Sequence, residues 1–413
     1  MISYTYRLSN IPGFIHLIKG DNAESSILKL NKVEARTSNN ALYRIVRYDK
    51  IFLSNDLVSS YGLCRSVIVN SNNNVVCFSP PKSIKSEDFI QRYAPDCDGV
   101  VAEEFVEGTM INVFWDSSLG INGSWEISTR NTVGATSTFY KGSNSKNFRD
   151  MFLEAAKESD LNIAQLDTNY CYSFVLQHPE NRIVVPFKKP QLYLIGMYSI
   201  SHTSDECSVQ VFCQFKPYFV DVLKTKVKFP ETYKFASYAE LIEKYGSMNT
   251  DYSIVGVMLH NKANGERSKI RNPVYEQVRG LRGNQPKLQY QYLSLRKEGK
   301  VGEFLKFYPE NKKEFYGFRD QVHLFTDTLF NNYVSCYIKK EKQLGLFPDK
   351  YRTHMYNIHQ KYINELKEAK QFVSNTFVQK FVNELHPSLL MFCLNHDLRK
   401  RKVDVIVAEH NVV

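Results

Sequence analysis

The spacing of the apolar residues changes once along the chain, and this change constrains the fold. Up to about residue 285, the chain contains short runs rich in β-forming residues, such as SVIVN (66–70), NVVCF (74–78) and SWEIST (124–129), broken by clusters of Asn, Gly, Ser and Pro. Such runs between turn residues are typical of β-strands. Later, apolar residues recur every three or four positions, which is typical of amphipathic helices, as at Phe315, Phe318, Val322, Phe325, Leu329, Tyr333 and Tyr337. The sequence therefore predicts an α+β protein, with a β-rich domain at 1–285 and an all-helical C-terminal domain at 286–413.

The same patterns place the individual elements. Further strands are predicted at 99–105, 110–115, 170–176, 182–187, 191–200 and 252–259. Two helices are predicted within the first domain, at 146–159 and 237–245. In the second domain long helices are predicted at 314–345, 352–371 and 374–385, the last of them stopped by Pro387.

Composition narrows the class of protein. Hydrophobic residues make up 43% of the 413 residues, which is typical of a globular chain. There is no apolar run of about 18 residues and no signal-peptide profile at the N-terminus, so we expect an intracellular protein without a membrane span. The eight cysteines form no CxxC pair and are expected to be free thiols. We expect no metal site from them.

The formal net charge is +10. A charge of this sign favours an anionic partner, of which nucleic acid is the commonest. The alternative is that the charge serves only solubility.

Seven short motifs occur in a meaningful order. They are CRSVIVN (64–70), EEFVEGTMINVF (103–114), STRNTVGA (128–135), YSFVLQHPENRIVVPF (172–187), QLYLIG (191–196), SIVGVML (253–259) and SKIRNPVY (268–275). This ordered set resembles the RNA ligases of the covalent nucleotidyltransferase superfamily, most closely the T-even phage type that repairs broken tRNA. The resemblance covers roughly residues 55–280. It implies a ligase-like nucleotidyltransferase fold for the first domain, and a helical C-terminal domain also fits that family.

The resemblance implies a three-step reaction in active members. A lysine attacks the α-phosphate of ATP, the AMP passes to a 5′-phosphate RNA end, and a 3′-hydroxyl then displaces it. This chemistry needs a deprotonated amine, acidic residues that hold Mg²⁺, and cations that hold the phosphates.

This sequence departs from the family motif at the positions that would carry out the reaction. The nucleophilic lysine aligns with Phe105, while the acid and glycine of the same motif are kept as Glu107 and Gly108. Two further acids align with Val175 and Val255. Neither phenylalanine nor valine can attack a phosphate or ligate a metal. Taken alone, the Glu107–Gly108 pair is also what a simple hairpin turn requires.

Four cations are kept and are predicted to contact phosphate or RNA: Arg65, Arg182, Lys269 and Arg271. Lys269 and Arg271 are two residues apart, so on a strand they share a face. The alternatives are a solvated strand edge for this pair, and a local ion pair with Glu180 for Arg182.

These observations predict an RNA-ligase-like protein that is catalytically degenerate and binds RNA, either tRNA-like or as broken ends. One alternative is an active ATP-dependent RNA ligase that uses a displaced lysine such as Lys188 or Lys189, and only then would ATP and Mg²⁺ be cofactors. A further alternative is that Glu103 and Glu104 hold a metal ion for a different reaction. The third reading is a structural or interaction protein that keeps only the fold. Frequent Asn, Lys and Tyr suit an AT-rich viral or phage genome.

Overall fold

The computed structural model describes residues 2–20, 27–35, 41–139 and 146–399. The chain divides into two compact units, the first ending at Arg279 and the second beginning at Gly280. The division lies a few residues before the predicted boundary after residue 285. None of the helices in these ranges is long and apolar enough to cross a membrane.

The first unit is built on a six-stranded antiparallel sheet. Its order is β1-β11-β10-β9-β7-β8, with β1 Ile2–Arg7, β7 Thr109–Asp116, β8 Ser124–Thr129, β9 Cys171–Gln177, β10 Gln191–His202 and β11 Cys207–Phe212. One of its faces packs against helix α4 (Phe148–Glu158). The side chain of Asn147 accepts a hydrogen bond from the Asp150 amide and so caps α4, whose buried face is Met151, Phe152, Ala155 and Ala156, as the sequence predicts.

Two four-stranded antiparallel sheets complete this unit. The first has the order β2-β3-β4-β5, with β2 Leu28–Glu34, β3 Leu42–Tyr48, β4 Val67–Val69 and β5 Val75–Cys77. The second has the order β12-β6-β13-β14, with β6 Val100–Glu104, β12 Thr232–Tyr233, β13 Gly256–Asn261 and β14 Arg267–Arg271. Because β6 and β7 belong to different sheets, the residues between them join two layers of the fold.

Short helices cover the sheets of the first unit. They are α1 Phe14–Lys19, α2 Val58–Tyr61, α3 Ser86–Arg92 and α5 Tyr238–Tyr245, and the units divide within α6 Pro273–Arg282.

The second unit is helical in its described part. Its helices are α7 Leu288–Lys297, α8 Val301–Phe307, α9 Lys312–Tyr333, α10 Asp349–Lys361, α11 Asn375–Glu384 and α12 Pro387–Leu394. The apolar stripe predicted for α9 is buried at Phe315, Val322, Phe325, Leu329 and Tyr333. Pro387 does not only follow the end of α11: it is the first residue of α12, where its missing N–H costs no hydrogen bond. The protein is therefore α+β, with a β-rich first part and a helical second part.

The predicted strand at 182–187 is wrong. These residues form an irregular loop, although Ile183, Val184 and Val185 are β-branched. The amides of Val184 and Val185 donate to the carboxylate of Glu107 instead of a neighbouring strand. The side chain of Glu107 thus accepts the backbone hydrogen bonds that a neighbouring strand would accept in a sheet.

Candidate functional site

The turn between β6 and β7 is fixed by Gly108. Its φ is +147°, a conformation that side chains disfavour, and a Cβ there would lie 2.4 Å from the carbonyl oxygen of Leu176 and 2.6 Å from Cγ1 of Val175. The glycine therefore lets the turn press against β9. The hairpin alternative does not apply, because β6 and β7 pair with different strands.

Glu107 is buried and holds a loop in place. Its carboxylate accepts hydrogen bonds from the amides of Val184, at 2.9 Å, and Val185, at 3.1 Å. Burial raises the pKa of this carboxyl, while those two amides, the side chain of Tyr275 and the charge of Arg182 all oppose the rise. The acid of the motif therefore has a full set of partners within the fold.

Phe105 directly follows β6 and is half-buried. The guanidinium carbon of Arg271 lies 5.6 Å from the centre of its ring, which is a cation–π contact. Arg271 also forms an ion pair with Glu276. The position that we predict to align with the nucleophile thus holds an aromatic ring beside a cation.

The two positions that we predict to align with acids of the family are buried as well as apolar. Val175 lies in β9 and is 6% exposed, and Val255 precedes β13 and is 7% exposed. The carbonyl of Val255 accepts a hydrogen bond from the Asn272 amide at 3.0 Å. In the described ranges, no three His, Cys, Asp or Glu side chains come together as a metal site.

Glu103 and Glu104 do not form a shared site. As neighbours on β6 they project to opposite faces of the sheet. Glu103 pairs with Lys262 at 2.9 Å and approaches His260 at 3.4 Å. Glu104 accepts a long hydrogen bond of 3.4 Å from the Glu231 amide, and burial raises the pKa of its carboxyl.

Strand β14 presents three cations on one face. Arg267, Lys269 and Arg271 are half-buried and alternate with the buried Ser268 and Ile270. The spacing of Lys269 and Arg271 thus gives the shared face that the sequence predicts.

Three more cations act on this face, forming what we call the cation cluster: Arg65, Lys82, Arg130, Arg267, Lys269 and Arg271. Burial lowers the pKa of Lys269 to about 8, with further lowering by Arg271, Lys82, Arg65 and Arg267. Burial also lowers the pKa of Arg65 to about 10, assisted by Arg267 and Arg130. Lys82 shows the same effect, since burial lowers its pKa and Arg65, Arg271 and Arg130 add to the shift. The six charges are therefore close enough to destabilise one another.

The cluster has few anionic partners. Within the described part of the chain, Arg271 has its ion pair with Glu276, and the other five cations have no ion pair with a carboxylate. The Nε atoms of Arg130 and Arg267 are buried without a hydrogen-bond acceptor. Buried cations and unsatisfied donors are costly, so this arrangement favours the binding of an anion.

A cavity of about 280 Å³ opens beside the cluster. Lys82, Lys269 and Arg271 line it together with polar residues, while Glu87 and Asp88 also border it. A larger cavity, of about 390 Å³, lies against Asp116, whose carboxylate is already bonded to Tyr43, Asn70 and Ser118. The smaller cavity is thus the one that offers positive charge.

The remaining predicted cation, Arg182, contacts the loop that Glu107 holds. Its Nε donates to the carbonyl of Val184 at 2.9 Å. Glu180, which the sequence offers as an alternative partner of Arg182, pairs with Lys146 at 2.8 Å. Lys188 and Lys189 follow in the same loop and are exposed.

Sequence reasoning missed Lys82, Arg130 and Arg267. Arg130 lies within the quoted STRNTVGA motif, and Arg267 continues the two-residue spacing of β14, so both carried a usable signal. Lys82 follows two prolines with no pattern of its own, and only the fold brings it to the cluster.

Comparisons with known proteins give a partial sequence match. No protein-family model matches the chain. An RNA ligase of Rhodothermus phage RM378 is 29% identical over 104 residues, which are 24% of this chain and 22% of that protein. The chain therefore matches about a fifth of the length of that curated relative.

Solved structures of a Naegleria gruberi RNA ligase resemble parts of the chain. A variant with ATP and Mn gives a TM-score of 0.33 at 11% identity, covering 48% of this chain and 58% of that one. The same ligase with PPi gives 0.31 at 9% identity, covering 61% and 97%. What the comparisons add is a weak sequence similarity to an RNA ligase over a quarter of the chain.

Proposed function

We propose that this chain is an RNA-ligase-like protein that has lost lysine adenylylation and binds RNA through the cation cluster. One observation carries the proposal: in the described ranges the six cations of the cluster have a single ion pair with a carboxylate, and three of them, Lys82, Lys269 and Arg271, line a cavity. The weak match to a phage RNA ligase supports RNA as the polyanion. It also supports a viral or phage source.

The loss of adenylylation follows from the groups that remain. A phenylalanine has no lone pair with which to attack phosphorus, and its ring is already covered by Arg271. Val175 and Val255 offer no oxygen to a divalent cation, whereas Mg²⁺ requires oxygen ligands. Glu107 keeps its place because its carboxylate holds the loop at Val184 and Val185.

Binding of RNA follows from the charge of the cluster. Phosphate oxygens would supply acceptors for the unsatisfied Nε atoms of Arg130 and Arg267. For single strands, each phosphate neutralised contributes about −0.7 to the slope of log K against log salt. If all six cations contact phosphate, the slope is about −4. Whether the ligand is tRNA-like or a broken end is the finer part of the proposal.

The test combines an adduct assay with RNA binding. The full chain is incubated with ATP labelled at the α-phosphate and with Mg²⁺ or Mn²⁺, and intact mass is measured beside an active ligase. We expect no AMP adduct. RNA binding is then measured over a salt series for the unmodified chain, for Lys269→Ala and Arg271→Ala, and for Lys226→Ala as a matched control, because Lys226 is a surface lysine paired with Asp160.

We expect Lys269→Ala and Arg271→Ala each to weaken binding and to make the salt slope shallower by about 0.7, while Lys226→Ala changes neither. An adduct would overturn the loss of catalysis. Salt-independent binding, or none, would leave a structural or interaction protein that keeps only the fold.

One observation favours the active-ligase alternative. Lys269 has a lowered pKa of about 8, so a substantial fraction of its amine is neutral near physiological pH, as a nucleophile must be. If an adduct forms, peptide mapping should place AMP on Lys269 before Lys188 or Lys189, which are exposed loop residues. Only in that case are ATP and a divalent metal cofactors.

A further inference from the structure

The second unit contains a row of four neighbouring rings, of which the last three are stacked and the first is tilted by 34°; we call it the aromatic column: Tyr333, Tyr337, His359 and Tyr362. The ring centres of Tyr333 and Tyr337 are 5.2 Å apart. Those of Tyr337 and His359 are 3.9 Å apart with 17° between the planes, and those of His359 and Tyr362 are 5.9 Å apart with 21°. Tyr333 is buried, and the other three are half-buried. Burial lowers the pKa of His359, which favours the neutral imidazole.

The column joins the C-terminal ends of two helices. Phe325 of α9 stacks on Tyr351 of α10, and Tyr333 of α9 contacts His359 of α10. Later residues of one helix thus meet later residues of the other, so α9 and α10 run in the same direction. Each continues into a π-helical turn, Val334–Ile338 after α9 and Tyr362–Leu366 after α10. Such turns are rare and frequently mark functional sites.

Part of the column is exposed, because Tyr337, His359 and Tyr362 are only half-buried. In the described ranges, His359 is the single ring that stacks on Tyr362, so the far face of Tyr362 carries no ring. Tyr356 is 51% exposed and lies close enough to Tyr337 to affect the pKa of its hydroxyl. Exposed aromatic faces of this kind are where unpaired bases stack.

Positive charge surrounds the column in sequence and at the helix ends. Residues 339–342 and 361–370 hold six lysines and three glutamates. Lys361 pairs with Glu384 at 3.2 Å and Lys339 with Glu341 at 3.7 Å, both near the surface. Lys340 and Lys370 adopt positive φ values of 57° and 54° just after the π-helical turns. Some of this charge stabilises the helix C-termini, and the excess gives complementarity to phosphate.

We propose that the aromatic column is a stacking platform for the unpaired bases of a single-stranded RNA, whose phosphates the neighbouring lysines contact. The column belongs to a different unit from the cation cluster, but the choice of RNA rests on the proposed function. Since stacking uses the face of a base, the platform should tolerate any sequence.

The test uses the full chain and a short RNA carrying 2-aminopurine, whose fluorescence is quenched on stacking. We expect quenching with the single strand and none with the matching duplex. Tyr362→Ala should weaken binding by about 5- to 150-fold, the range for one base–aromatic stack, and should abolish quenching. Tyr362→Phe should preserve both. Tyr316→Ala is the matched control, because Tyr316 is 43% exposed beside Arg319 and Lys312 but has no ring partner in the described part of the chain.

Two comparisons separate this proposal from the proposed function. If Tyr362→Ala unfolds, Tyr362→Leu keeps apolar volume without a ring and should show the same loss. Unchanged binding and quenching in Tyr362→Leu, or an equal loss in Tyr316→Ala, would overturn the stacking platform. If Arg271→Ala binds normally while Tyr362→Ala does not, the platform stands and the cation cluster fails. Equal binding of DNA and RNA would overturn the choice of RNA.

Discussion

Replacing Glu107 with alanine should release the loop at 184–185. The carboxylate of Glu107 is the acceptor for the amides of Val184 and Val185, and it interacts with the side chain of Tyr275. Val184 is fully buried, so water would not replace its lost acceptor, whereas Val185 is half-buried and would be partly rehydrated. The variant therefore leaves at least one buried donor without a partner.

The magnitude follows from those groups. An unsatisfied buried donor costs about 1–3 kcal/mol, and the Tyr275 hydroxyl loses an acceptor as well. Relief from burying a carboxylate whose pKa is raised offsets part of this loss. We expect Glu107→Ala to lower the free energy of unfolding by about 2–4 kcal/mol. Glu107→Gln keeps one oxygen that can face both amides and should cost about 1 kcal/mol.

Urea unfolding measures the global effect, and amide hydrogen exchange locates it. The amides of Val184 and Val185 should exchange faster in Glu107→Ala by more than the change in global stability explains. Glu180→Ala is the matched control, since Glu180 is an exposed carboxylate in the same segment and pairs with Lys146. It should change stability by at most about 1 kcal/mol. Unchanged exchange at Val184 and Val185 in Glu107→Ala would refute the reasoning.

Three further predictions concern charge. Burial raises the pKa of Glu126 from 4.5 to about 7, so between these pH values the folded state holds a proton that the unfolded chain releases. The free energy of unfolding should therefore fall by up to about 3 kcal/mol as the pH rises from 4.5 to 7. Urea unfolding at a series of pH values should show this fall for the unmodified chain and not for Glu126→Gln. Lys269 has a lowered pKa of about 8, and a bound phosphate would raise that pKa. RNA affinity should therefore fall above pH 8 by at most about tenfold per pH unit. If the same fall persists in Lys269→Arg, the titration of Lys269 is not its cause. Phe105→Lys places an amine beside Arg271 but restores no metal ligand. The intact mass of this variant after incubation with ATP and Mg²⁺ should therefore show no AMP adduct. An adduct would mean that Phe105 alone prevents adenylylation.

Local patterns in the sequence predict much of the fold. The predicted β-rich runs become β4 to β10 and β13 with boundaries shifted by a few residues, because short runs of β-branched and aromatic residues between turn residues favour strands. The strand predicted at 182–187 was wrong for a non-local reason: the amide of Val184 donates to the carboxylate of Glu107, which lies 77 residues earlier in the chain. The residues of the segment itself do not reveal that the fold places the Glu107 carboxylate beside it as a hydrogen-bond acceptor.

The candidate site shows the same division. The shared face of Lys269 and Arg271 follows from their spacing on a strand. Lys82 and Arg130 come from separate loops and strands, so their place in the cation cluster depends on how three sheets are joined. The roles of Arg65, Arg182, Lys269 and Arg271 as phosphate contacts remain predictions.

The turn at Glu107 and Gly108 determines which residues of this segment the fold itself requires. Its acid secures a neighbouring loop and its glycine permits two sheets to meet, so both are needed for folding whether or not a reaction takes place. The side chain of Phe105, two positions earlier, contacts Arg271 instead, so a different side chain there leaves the loop bond and the glycine turn in place. A sequence search that relies on the Glu107–Gly108 pair therefore retrieves proteins that keep this turn for folding, whether or not they catalyse a reaction.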